Sequence, residues 1–245
     1  MIVKDKVIFI ARGNDSIGEA TGKKLSSKGA TVFLGHHSDE DIGEVLERAK
    51  AKGVEWDWGD KNSLKNAIES IIKACGRIDV LVNNLIPLEG ELKPFMEISK
   101  EEMGAVFTHI EYTCDLLRSV FNYMVRQKSG KIINLIFYSL YLGTPLSSAL
   151  SLYSGAILGL SRILAMEMGR CGIRVNCVSL GIMEEFLKGA AGGAREMLNA
   201  FIGMQSFKRY LKPEDIANTI WYLSSASSDF FTGQSIIVDG GMVTH

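Results

Sequence analysis

A phenol can protonate an oxygen that gains charge during a reduction, provided that a neighbouring cation brings its pKa down from about 10. Tyr153 is the candidate for that role, yet Ile157 stands one helical turn further along and supplies no charge. His109 is a second group able to carry a proton near neutral pH. Ser139 and Ser154 are weak, neutral acids and cannot replace a cation-activated phenol. The structural alternative for Tyr153 is a place between two helices, with its ring packed and its hydroxyl bonded.

A different chemistry is suggested by Ala11-Arg12-Gly13-Asn14-Asp15-Ser16-Ile17-Gly18, which follows an apolar run and precedes a helical stretch. A strand, a turn and a helix in that order can aim backbone N–H groups at a pyrophosphate. A glycine-rich turn by itself is a weak signal, because ordinary turns contain glycine too. The pair His36-His37 has no third ligand nearby in sequence. Cys75, Cys114, Cys171 and Cys177 show neither CxxC spacing nor a histidine cluster, so they read as small core thiols in a reducing compartment. No metal site is expected.

Positioning these groups requires a scaffold, and 245 residues suffice for a single α/β domain over 1–245. With 27 Lys+Arg against 28 Asp+Glu the net charge is −1, so no basic field exists to hold nucleic acid. The N-terminal apolar run is too short for a signal peptide and reads as a first strand, which suggests a cytoplasmic protein. Between Lys131 and Arg162 no residue is charged, but Asn134, Gly143, Pro145, Ser147 and Ser148 punctuate the stretch. That pattern fits a buried strand, a loop and a helix covered on two faces rather than a membrane span. The second covered face would need a partner.

Apolar runs at Val7–Ile10, Thr31–Leu34, Val54–Trp56, Ile78–Val82, Lys131–Ile136, Ile173–Val178 and Ser235–Val238 predict strands. Helical periodicity separates them over Ile17–Lys28, Leu64–Ile72, Met103–Gln127 and Leu152–Met168. Nearly continuous apolar strands alternating with helices predict a Rossmann-like α/β fold, a doubly wound parallel sheet with helices on both faces. The Gly- and Ala-rich stretch Gly189–Met197 reads as a mobile lid or a poorly formed helix, within a lid region near 183–212.

Several motifs resemble the short-chain dehydrogenase/reductase family over nearly the whole chain. They are Gly172-Ile173-Arg174-Val175-Asn176, Pro213-Glu214-Asp215-Ile216-Ala217, Thr232-Gly233-Gln234 and Asp239-Gly240-Gly241, together with Asn83-Asn84 and Leu158-Gly159-Leu160-Ser161-Arg162. The resemblance implies a dinucleotide site involving Arg12, Ser16, Ile17, Gly18, Asp57 and Asn83. Departures weaken that implication. Arg12 and Ser16 replace two of the family's three turn glycines, Leu85-Ile86 replace small residues, and Glu185 stands where a Thr would approach the cofactor. Arg12 at a tight turn is expected to obstruct, unless its guanidinium pairs with a phosphate. Asp57 serves either the adenine or a loop cap. His36 and His37 show no preference between NAD and NADP.

The resemblance also implies a Ser–Tyr–Lys relay assisted by an Asn. Counting back from Leu158–Arg162 places the lysine position at Ser154, and counting forward from Asn134 places the serine position at Phe137 and the tyrosine position at Leu150. The asparagine position maps to His109. All four differ, so the expectation is a non-catalytic structural or regulatory subunit that binds no cofactor itself. Its partner would be an active, NAD-dependent homologue in a heterotetramer. The pattern is similar to degenerate subunits of bacterial complexes that oxidise an aromatic hydroxyacyl-CoA in anaerobic toluene breakdown. Two alternatives stand beside this. One is an atypical NAD(P)-dependent oxidoreductase using Tyr153 and His109; the other is a ligand sensor without chemistry. The sparse cations Lys188, Arg195, Lys208, Arg209 and Lys212 would meet a CoA phosphate, a partner's acidic surface or solvent.

Overall fold

The computed structural model describes residues 2–87, 92–187 and 192–244. The elements run β1 (Val7–Ile10), α1 (Ser16–Ser26), β2 (Thr31–His36), α2 (Gly43–Ala49), β3 (Lys52–Glu55), α3 (Lys61–Cys75), β4 (Val80–Asn83) and α4 (Lys100–Gln127). They continue with β5 (Gly130–Phe137), α5 (Ser139–Leu142), α6 (Ser148–Gly169), β6 (Ile173–Leu180), α7 (Gly192–Met204), α8 (Pro213–Ser224) and β7 (Ser235–Val238).

All seven strands pair in parallel, in the order β3-β2-β1-β4-β5-β6-β7. The chain winds outward from β1 to β3, then crosses to β4 and winds the other way. A crevice therefore opens between β1 and β4 at the carboxyl ends of the strands, where such sheets bind ligands. β1 and β4 are buried throughout, as strands covered on both faces must be. One face is covered by α1 and α8, the other by α3 and α4, with α6 packed on β5 and β6 and against α4.

Local chemistry explains where the helices begin. Asp60 caps α3 by accepting from the N–H groups of Asn62 and Ser63. Ser99 and Glu102 close α4 with a reciprocal capping box. In α6 the buried positions Tyr153, Ser154, Ile157, Leu158, Ser161 and Ala165 lie on one side. Leu152, Ile163 and Met166 are exposed on the other, with Met166 83% and Ile163 58% accessible. Among the described residues α6 is the one helix long and apolar enough to cross a membrane, and it lies packed on the sheet.

Four differences from the predicted elements stand out. The segments at Gly43–Ala49 and Pro213–Ser224 are helical, α6 begins at Ser148 rather than Leu152, and β6 extends to Leu180. From residue 192 onward the Gly- and Ala-rich stretch is the regular helix α7 rather than a poorly formed one, while residues 188–191, including Lys188, lie outside the described residues. A parallel bridge between Met183 and Leu211 ties together the two ends of the lid region.

Candidate functional site

Phe137 ends β5 opposite Leu180 of β6, buried, with its ring centroid 4.8 Å from that of Tyr138. Its backbone N–H donates to Ser154 Oγ at 2.9 Å. Ser154 is fully buried, so the side chain at the implied lysine position is a core tether pinning α6 to β5. Leu150 is half-buried and packs against the same apolar cluster. Phe137 and Leu150 carry no ionisable proton, and the Ser154 hydroxyl is engaged as the acceptor of the Phe137 N–H.

Tyr153 points between α4 and α6, its hydroxyl 3.2 Å from Thr113 Oγ1. It is fully buried, and desolvation drives its phenol pKa far above the ordinary tyrosine range. His109 sits on α4 with Nδ1 3.2 Å from the Leu85 carbonyl oxygen and its ring against Tyr112. The Tyr153 phenol is thus enclosed in the core, made less acidic, and bonded to Thr113. Its place between two helices matches the structural alternative.

Asn83 also turns away from ligand chemistry. Its Nδ2 donates to Asn134 Oδ1 at 3.0 Å, and Asn134 Nδ2 donates to Ser161 Oγ at 2.8 Å. Ser161 in turn donates to the Ile157 carbonyl and accepts from the Cys177 thiol. This buried network joins β4, β5, β6 and α6 and encloses the Asn83 side chain fully.

At the first turn, Arg12 has no left-handed backbone angle, so the turn itself accepts its β-carbon. The close approaches fall one residue later. A Cβ on Gly13 would lie 2.4 Å from Leu34 Cβ, and one on Gly18 would lie 2.6 Å from Gly13 Cα. Asn84 Nδ2 donates to the Arg12 carbonyl at 2.9 Å, and the Arg12 guanidinium lies 4.0 Å from Asp15. Ile17 is a core residue.

The anions around this turn are its own. Asp15 caps α1 by accepting from Gly18 N–H at 2.7 Å, and its two carboxylate oxygens also accept from Asn84 at 3.0 and 2.9 Å. Burial raises the Asp15 pKa, opposed by the Gly18 hydrogen bond and by Arg12. Ser16 Oγ donates to the Glu185 carboxylate. Glu40 accepts from the Asn14 amide and from His37 N–H. Asp57 accepts from Ser38 N–H at 3.0 Å, has His37 Nδ1 at 3.3 Å, and has its pKa lowered chiefly by the Ser38 bond. Asp57 thus caps the loop after β2 through Ser38.

Asp15 and Glu185 place two carboxylates at the amino end of α1, where a diphosphate would meet like charge, whereas Asp57 stands at the position implied for the adenine. Glu185 and Ser16 also border a cavity of about 690 Å³ whose lining includes Arg195, Arg209 and Lys212. Arg209 is paired with Asp215 at 2.7 and 3.0 Å. Among the described residues no three His, Cys, Asp or Glu side chains gather to hold a metal ion. Sequence reasoning missed Asn14, Glu40 and the role of Gly13. Asp15, three residues ahead of Gly18, carried a cap signature, whereas nothing local announces that Glu40 reaches Asn14.

The family model described as enoyl-(acyl carrier protein) reductase matches residues 11–243. The chain is 29% identical to the 3-oxoacyl-[acyl-carrier-protein] reductase FabG of Thermotoga maritima, over 99% of this chain and 100% of that protein. Two subunits of the (2S)-[(R)-hydroxy(phenyl)methyl]succinyl-CoA dehydrogenase of Thauera aromatica are similarly close. BbsD is 29% identical over 98% of both chains, and BbsC is 30% identical over 96% of this chain and 94% of that one. The solved structure of levodione reductase superposes with a TM-score of 0.88 at 25% identity, covering 97% of each chain.

Proposed function

The chain belongs to the short-chain dehydrogenase/reductase family, and we propose that it is a non-catalytic member that works by docking onto a catalytically intact homologue. The observation that carries this reading is the conversion of the relay into core. Phe137, Leu150 and Ser154 stand where a proton donor and its activating cation are implied, and Ser154 Oγ is committed to the Phe137 N–H. The partner would hold the NAD and perform the hydride chemistry. This chain would brace it and shape the entrance for substrate.

Support for an assembly of this kind comes from the Thauera relatives, whose names make them subunits of one dehydrogenase acting on an aromatic acyl-CoA. The assembly proposed is a heterotetramer oxidising an aromatic hydroxyacyl-CoA. The surface suits it, because Leu152, Ala156, Gly159, Ile163 and Met166 recur on one side of α6 at helical spacing. A Cβ on Gly159 would meet nothing within 4 Å, so the centre of that stripe is open to close approach by another helix.

The test is affinity purification of the full chain from its native source, with the intact complex weighed by mass spectrometry. Recovery with a homologue carrying the complete Ser–Tyr–Lys relay is expected, together with no NAD+ turnover by the isolated chain. Recovery solely as a homo-oligomer that binds NAD+ tightly would refute the reading.

A further inference from the structure

We propose that Glu185 is a resident anion that takes the place of a ligand phosphate at the amino end of α1 and latches the segment after β6 onto the first turn. The latch is the hydrogen bond from Ser16 Oγ to the Glu185 carboxylate, which joins residues 169 positions apart. Ser16 is the first residue of α1, where unpaired N–H groups and the helix dipole favour negative charge. Glu185 belongs to a short 3-10 turn, Glu184–Leu187, immediately beyond the buried pair Ile182 and Met183.

The neighbouring geometry makes the contact more than a surface pair. Met183 bridges to Leu211, and Leu211 N–H donates to the Ile182 carbonyl at 2.8 Å, so the backbone leading into the turn is anchored. On the opposite side, Asp15 is held by Gly18 N–H and Asn84 and fixes the start of α1. The latch therefore spans two fixed points. It borders the cavity that Arg195 and Lys212 also line.

A phosphate that closes a lid acts only while it is bound. Glu185 is covalently part of the segment it closes, and an intramolecular group acts at an effective concentration no free ligand need match. The latch thus competes with any free phosphate for the same end of α1. This rests on the non-catalytic reading only in taking the cleft to be free of cofactor.

Hydrogen exchange on the full chain, with and without millimolar NAD+, tests the latch in wild type, Glu185→Ala, Glu185→Gln and Ser16→Ala. In wild type, protection over 182–187 is expected to be independent of NAD+. In Glu185→Ala and Ser16→Ala, exchange there should rise about tenfold or more, as loss of a charge-assisted hydrogen bond requires, while β5 and β6 stay protected. Glu185→Gln should fall between, since it keeps an acceptor without the charge. Wild-type protection in both Glu185→Ala and Ser16→Ala would overturn the latch. Added protection of wild type by NAD+ would instead overturn the cofactor-free reading, so the two failures are read separately.

Discussion

Ser154 shows how a single replacement can serve the core while removing a reaction. Its hydroxyl accepts the Phe137 N–H at a position with no solvent exposure, so β5 and α6 are joined where an ammonium group is implied in the family. Restoring that ammonium should not restore chemistry. Ser154→Lys would bury a charge among Phe137, Tyr153 and Ile157 and leave the Phe137 N–H without its acceptor. A loss of more than about 3 kcal/mol in unfolding free energy is expected, measurable by urea denaturation. A variant as stable as wild type would mean that the site still holds water and room for a relay. The replaced identities at 137, 150 and 154 were legible by counting along the chain from motifs on either side. What they do instead was not, because the partner of Ser154 is a backbone N–H 17 residues away, across the β5–α6 junction.

Among the elements, the strands were the most legible part. β1 and β7 match the predicted runs end to end, and for β1 the reason is that a strand buried on both faces must be apolar along its length. α2 escaped notice for the opposite reason: seven residues with only Ala49 buried carry too little periodicity to read. The close packing of Gly13 in the first turn was not legible, since it depends on Leu34 of the neighbouring strand rather than on the turn's own sequence. α8 is braced at its start by Asp215, which accepts from both guanidinium nitrogens of Arg209 and from Lys212 N–H at 3.0 Å. The Arg209 bond is the main reason that the Asp215 pKa lies below its ordinary value of 3.8. A carboxyl depressed in the folded state stabilises it above the unfolded pKa, and the benefit fades as pH falls from about 4 through the folded value. Thermal melts of wild type and Asp215→Asn between pH 6 and pH 3 should therefore converge in acid. The difference near neutrality should stay within about 1 kcal/mol, because Arg209 is largely exposed and water screens the pair. A gap that persists at pH 3 would show that the carboxylate charge is not what Asp215 contributes.

For the whole molecule, the question is what covers the outer face of α6. A helix this apolar was expected to need cover on two sides, and the fold provides one, through β5, β6 and α4. The other side leaves Leu152, Ile163 and Met166 to solvent around Gly159. A tetramer of the proposed kind needs a second face on each chain. The free edge of β7, half-buried along its length, offers one, with Phe230 fully exposed in the loop before it. The two faces can be tested independently, since neither belongs to the interior. Ile163→Glu with Met166→Glu charges the α6 stripe at positions already in water, so the melting temperature of the isolated chain should move little. On the proposed reading the same pair abolishes co-purification with the intact homologue, because two carboxylates would be buried unpaired at the centre of the interface. Phe230→Asp should leave the α6 pairing in place and reduce a tetramer to a dimer, resolved by light scattering on the purified complex. If the α6 double variant still forms the full complex, that stripe is not the docking face, and the partner must engage the chain elsewhere.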